Sequence, residues 1–136
     1  VKSMIKIGII GSTNVFRTSD IKQLLFKLKE KFGPLLVVYS GGNLQGVEFD
    51  VKDCAQKFDI MYKEFNPSFS GKNQFSCMPE SYYGKPYHFS HFYDRYKHLV
   101  WEVEMLFVYT DEHYKKNYND IIKKALKKGI NVAVIE

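Results

Sequence analysis

The feature that most constrains this chain is an alternation, repeated five times, of short apolar β-branched runs with stretches patterned at helical spacing. Residues 4–10 (MIKIGII) read as a buried strand, because apolar residues dominate and isoleucine recurs. Residues 35–39 (LLVVY) are too short and too β-branched for a stable helix. Residues 59–65 (DIMYKEF), 102–109 (EVEMLFVY) and 130–135 (INVAVI) supply three further strands. Between the first two runs, Ile21, Leu24, Leu25, Leu28 and Phe32 make one apolar stripe. Thr18, Ser19 and Asp20 stand before that stripe as N-cap candidates, and Gly33-Pro34 ends it. Residues 46–57 predict a second helix with Val47, Val51, Cys54, Ala55 and Phe58 inward, and residues 92–99 a third. Tyr114, Tyr118, Ile121, Ile122 and Ala125 mark a fourth, closed by Gly129. Strands that alternate with helices imply a parallel sheet covered on both faces, and right-handed crossovers restrict it further. The expected fold is α/β, a Rossmann-like three-layer sandwich with a central parallel sheet of about five strands.

Residues 66–90 break the pattern. They hold three of the four prolines, with Ser, Gly and many aromatics. A loop this long inside a compact domain is uncommon and often functional. No repeat or linker divides the chain, so residues 1–136 are read as one domain with a long aromatic insertion at 66–90. Hydrophobic residues make up 45% and charged residues 26%, enough to bury a core and unlike a disordered tail. Cys54 and Cys77 alone do not make a disulfide scaffold, which points to a reducing compartment. No apolar run approaches the ~20 residues of a membrane span. The opening residues run into the first strand without the apolar stretch of a secretory leader, so a cytoplasmic location is expected. The net charge of +5 comes largely from Lys22, Lys27, Lys29 and Lys31 on one helix and Lys123, Lys124, Lys127 and Lys128 on another. Such runs read as solvated helix faces and not as a nucleic-acid signature.

In an open parallel sheet, ligands bind beyond the carboxyl ends of the strands. After the first strand comes Gly11-Ser12-Thr13-Asn14. Glycine there lets a phosphate or sugar approach the backbone, and the following helix offers free N–H groups. The spacing is neither the dinucleotide GxGxxG nor a Walker A loop, and a simple tight turn is the bland reading. After the second strand, Ser40-Gly41-Gly42 and Gly46 lead into a helix and suit a backbone anion nest. Glu48, in the first turn of that helix, could accept ribose hydroxyls or could simply complement the helix dipole.

A first strand ending in Gly-Ser, followed by Ser40-Gly41-Gly42-x-x-x-Gly46-x-Glu48, resembles the SLOG superfamily, most nearly its YspA/cpYpsA-related members and more distantly the LOG- and DprA-like ones. The resemblance implies a Rossmann-like domain that binds a nucleotide or a nucleotide-derived, ADP-ribose-like ligand. Gly11, Ser12, Gly41, Gly42 and Gly46 would offer backbone contacts, Thr13 and Ser40 hydroxyls, and Glu48 a ribose acceptor. The family's Arg-centred helix before the fourth strand places Arg95 as an anion clamp, whereas the bland reading pairs it with Asp94 or Glu102 at the surface. The family's glycine-threonine turn after the fourth strand is here Tyr109-Thr110-Asp111-Glu112, with Thr110 kept as a contact but no glycine. The LOG-type Pro-Gly-Gly-x-Gly-Thr-x-x-Glu motif is absent, so phosphoribohydrolase activity is not implied.

Two other function classes compete. An enzyme acting at an N-glycosidic bond would need a carboxylate beside an oxocarbenium-like centre, for which Glu48 is the catalytic candidate, with Asp111 or Glu112 behind it. A single-strand DNA-processing or scaffold protein would use Tyr82, Tyr83, Tyr87, Phe89, Phe92, Tyr93 and Tyr96 with Lys72, Lys85 and Arg95 to stack bases. The same aromatics also suit a lid or a satellite core, which is preferred. His88-x-x-His91 with Cys77 and His98 lacks zinc spacing, and Cys54 falls on an apolar stripe, so neither a metal nor a cofactor is expected. Nucleophilic Ser12 or Ser40 would need a base in reach, and no Gly-x-Ser-x-Gly elbow exists. The expected partner is a nucleotide-like small molecule, with no membrane partner and with homo-oligomerisation through helices as an accompanying expectation.

Overall fold

The computed structural model describes residues 3–67, 71–84, 86, 88 and 90–136. Five strands, β1 (Ile5–Gly11), β2 (Leu36–Ser40), β3 (Met61–Glu64), β4 (Met105–Tyr109) and β5 (Asn131–Ile135), form one sheet. Four helices connect them: α1 (Thr18–Phe32), α2 (Val47–Lys57), α3 (Ser90–Glu102) and α4 (Asn119–Lys128). Every strand pair is parallel, and the order is β3-β2-β1-β4-β5. The chain therefore steps outward from β1 to β3, then returns to lay β4 on the other side of β1. That reversal is the topological switch point of an open α/β sheet.

Period-two alternation divides the core into two layers. Ile7, Ile9 and Val38 face α1 and α2, where they meet Ile21, Leu25, Val47, Val51 and Ala55. Ile10, Val37, Leu106 and Val108 face α3 and α4, where they meet Leu99, Val103, Ile121 and Ala125. Cys54 is a buried member of the first layer, and burial pushes its thiol pKa up, as for an inert core cysteine.

Several boundaries differ from the sequence reading. Arg17 occupies the cap position of α1, and its ion pair with Asp20 (2.8 Å) anchors the first turn. Thr18, inside the helix, donates instead to Asp50 on α2 at 2.9 Å. Leu35 closes a 3-10 turn begun by Gly33-Pro34, so β2 starts one residue later. Helix α3 runs to Glu102, which the sequence assigned to the fourth strand; the strand begins only at Met105. The apolar continuity of Val100, Val103 and Leu106 hid that break, because the helix end and the strand here contribute to the same core layer.

Of the 66–90 segment, residues 75–77 pair with the end of β3. Ser76 forms a single parallel bridge with Glu64, and Met78 enters the second core layer. Phe65 stacks on Tyr39 at 5.9 Å, and Tyr82 and Tyr83 pack against the same layer. Phe69, Lys85, Tyr87 and Phe89 lie outside the described residues, as does the side chain of Phe92. No helix among the described residues is long and apolar enough to cross a membrane.

Candidate functional site

The two glycine-containing turns meet at the carboxyl edge of the sheet. Gly11 closes β1 beside Tyr109 of β4, so Ser12 and Thr13 emerge at the switch point. Gly46 has φ +79, and a Cβ there would lie 2.5 Å from the Ser12 carbonyl oxygen and 2.6 Å from Thr13 Cα. Only glycine fits that corner, and it lets the β2–α2 turn sit directly on the β1–α1 turn. The Val47 amide then donates to the Ser12 carbonyl at 3.4 Å, and Gln45 Nε2 reaches the Thr13 carbonyl at 3.5 Å.

Beneath the joined turns lies a buried ionic network. Glu48 is 0% exposed and Arg95 3%. The Glu48 carboxylate accepts the Gly11 amide (3.4 Å), the Asn43 amide (3.2 Å) and the Tyr96 hydroxyl (2.6 Å). Arg95 Nη1 lies 3.6 Å from Glu48 Oε1, and donates to the Gly41 carbonyl at 3.2 Å and to Asn43 Oδ1 at 2.8 Å. Its Nη2 donates to the Tyr96 hydroxyl at 2.8 Å. Gly41 tolerates this because a Cβ would run into the Glu48 carboxylate. Burial works against the guanidinium charge, but Tyr96, Glu48 and Tyr118 outweigh it and hold the Arg95 pKa above its ordinary value. Burial raises the Tyr96 pKa well above the usual range, with Glu48 adding to it against Arg95.

Gly11, Ser12, Thr13, Gly41, Gly42, Gly46, Glu48 and Arg95 converge on one corner. Asn14 donates to the Ser12 hydroxyl oxygen at 3.2 Å, and Thr13 is half-buried at the surface of the turn. The Ser40 hydroxyl is turned inward and donates to the Ile9 carbonyl at 2.7 Å. Thr110 follows β4, its amide bonded to the Ile135 carbonyl at 2.9 Å and its hydroxyl to the Asp111 carbonyl at 3.2 Å. Asp94 and Glu102, the surface partners considered for Arg95, pair instead with Lys97 (3.8 Å) and Lys6 (3.4 Å).

Beside this corner opens a cavity of about 200 Å³, lined by Gly42, Asn43, Leu44, Phe49, Lys52 and Glu64 among others. Glu64, at the end of β3, is buried and accepts the Tyr62 hydroxyl (3.0 Å) and Asn73 Nδ2 (2.9 Å), with Lys52 Nζ at 3.4 Å. Burial first, and then Glu64, raises the Tyr62 pKa well above its ordinary value. Asn66 is fully buried; it accepts the Tyr83 hydroxyl and donates to the Gly71 carbonyl at 2.6 Å. The sequence reading passed over Asn43 and Glu64, and it offered Tyr96 as a base-stacking residue, whereas the ring is buried and its hydroxyl joins Arg95 to Glu48. Tyr62 and Glu64 carried a usable signal, since two polar residues at i and i+2 of a strand share one face. Among the described residues, no group of three or more His, Cys, Asp or Glu is placed to hold a metal ion.

No protein-family model matches the sequence, and no curated protein matches it. Among the solved structures that share the fold are two of a molybdenum cofactor carrier protein from Chlamydomonas reinhardtii. One is 15% identical with a TM-score of 0.65, covering 96% of this chain and 76% of that one. The other is 12% identical with a TM-score of 0.58, covering 98% and 77%. At these identities the likeness is one of fold.

Proposed function

We propose that this chain binds a nucleotide-like, negatively charged small molecule at the carboxyl edge of its sheet and holds it without transforming it. The observation that carries this reading is the contact between the two turns at the switch point, with Gly46 seated on Ser12 and Thr13. The turn residues offer backbone and hydroxyl groups next to the amino end of α2, whose dipole favours an anion. Thr13, Leu44 and Gln45 stand on the outer side of the two turns, whereas Thr110, after β4, is buried. Glu48, Arg95 and Ser40 lie beneath and act as positioning residues that fix both turns.

This arrangement favours binding over glycosidic chemistry. The Glu48 oxygens are engaged by Gly11, Asn43, Arg95 and Tyr96, so the carboxylate does not face a substrate. The structural neighbours are carriers of a small cofactor, which supports the same class of activity. The Ser40-Gly41-Gly42 and Gly46-x-Glu48 pattern supports a SLOG-type assignment, and with it an ADP-ribose-like ligand.

Calorimetric titration with AMP and ADP-ribose tests the reading. Saturable binding is expected, weakened about tenfold or more in Thr13→Asp, which puts a negative charge on the turn. Leu44→Trp, at an exposed position, should also weaken it by crowding the cavity mouth. Absence of binding by either nucleotide, or equal affinity in Thr13→Asp, would sink the proposal.

A further inference from the structure

A second surface lies outside the corner just described. Helices α3 and α4 enclose a groove of about 420 Å³ lined by Lys97, Val100, Trp101, Lys124, Lys127 and Lys128. Its lining holds four lysines and no acid. Trp101 is the only tryptophan of the chain and is 75% exposed. The exposed indole lies at the groove beside Val100, with the Lys128 ammonium near its face. Of the two lysine runs read as solvated faces in the sequence, the one on α4 borders this groove, joined there by Lys97 of α3. Lys124, Lys127 and Lys128 of α4 face Lys97 of α3 across the indole.

We infer that this groove binds single-stranded nucleic acid, with Trp101 stacking on a base and the lysines following the phosphates. The geometry separates the roles. Lys128 Nζ donates to the carbonyls of Val100 (3.0 Å) and Trp101 (2.6 Å) at the end of α3, and sits 4.7 Å from the Trp101 ring centroid. It fixes the indole against the helix end. Lys97 and Lys124 pair with Asp94 (3.8 Å) and Asp120 (3.3 Å) in exposed contacts that exchange readily for phosphate. Lys127 has no ion pair among the described residues. A flat indole ringed by ammonium groups is the stacking-and-charge combination that unpaired strands use, and it tolerates any base sequence. An acidic helix would need a longer apolar floor, with anchors at successive turns; here Val100 and Trp101 are the apolar lining. Arg95 and Tyr96, considered for base contacts from the sequence, are buried in the other network and take no part.

The test uses the intact chain and an oligothymidylate of about 15 nucleotides at low salt. Emission from Trp101 should quench saturably, with no other tryptophan to confuse it. Affinity should fall with salt, the log–log slope no steeper than about −2 for the three lysine–phosphate contacts of Lys97, Lys124 and Lys127 on a single strand. The double variant Lys124→Glu/Lys127→Glu, on exposed positions, should bind a labelled oligonucleotide at least about tenfold more weakly by anisotropy. Trp101→Leu should weaken it about tenfold in the same assay. Excess AMP should leave oligonucleotide binding in place, which separates this groove from the carboxyl-edge site. The inference is overturned if neither quenching nor anisotropy change occurs, or if the lysine variant binds as well as the native chain. It is equally overturned if a Glu-rich peptide quenches Trp101 while the oligonucleotide does not, which would make the groove a protein interface.

Discussion

Removing the Glu48 carboxylate would strand the Arg95 guanidinium in a space that water hardly reaches. The reverse deletion leaves a buried carboxylate facing only two amides and a tyrosine hydroxyl. Breaking one partner of a buried pair typically costs about 3–5 kcal/mol, mostly from the abandoned charge. Glu48→Gln and Arg95→Met should each lose that much stability in denaturant unfolding. The combined variant should lose far less than the two losses together, since residues in one network are coupled. Strict additivity would mean that the two side chains do not sense one another. The sequence made both residues visible as candidates but gave no sign of their partnership. Glu48 and Arg95 lie 47 positions apart, and the groups that join them are the Asn43 side chain, the Gly41 carbonyl and the Tyr96 hydroxyl.

Helix α3 approaches β1 closely enough that the contact depends on Gly8. A Cβ at Gly8 would fall 2.8 Å from Leu99 Cδ2, 3.2 Å from Leu106 and 3.3 Å from Val103. Gly8→Ala should therefore destabilise by about 1–3 kcal/mol through overpacking. Thermal unfolding would show it, and Leu99→Ala in the same chain should recover part of the loss despite the cavity it makes alone. No recovery would argue that the strain lies elsewhere. At this scale the sequence was legible where pattern and burial agree. Every strand and helix is present because β-branched runs and helical stripes point to the same buried faces. Boundaries were less legible, as around Glu102, where Val100 and Val103 before the strand and Leu106 within it feed one core layer. The path of residues 71–84 was not legible at all. It depends on a lone bridge to Glu64 and on Met78 reaching the core, contacts that no periodicity encodes.

Taken as a whole, the molecule buries phenols in both layers. The pKa values of Tyr62, Tyr96 and Tyr118 lie above the ordinary 10.0, burial being the first cause for each and neighbouring carboxylates adding to it. In the unfolded chain these groups ionise near 10.0, so above that pH the unfolded state sheds protons first. Stability is therefore full below about pH 10 and is lost as pH climbs from there through the folded-state values. Tyrosinate absorbance from these residues should rise together with loss of helical circular dichroism, in one transition. Ionisation of the buried set while the fold persists would contradict the packing described. The two faces of the molecule are also joined by a single rod. Arg95, under the carboxyl-edge turns, and Trp101, in the lysine groove, sit on α3 six positions apart, about 9 Å along its axis. A helix moves as a unit, so any axial slip of α3 registers at both ends. Thermodynamic reciprocity then sets a fixed rule: whatever factor an occupant of one end imposes on the other's affinity, it receives in return.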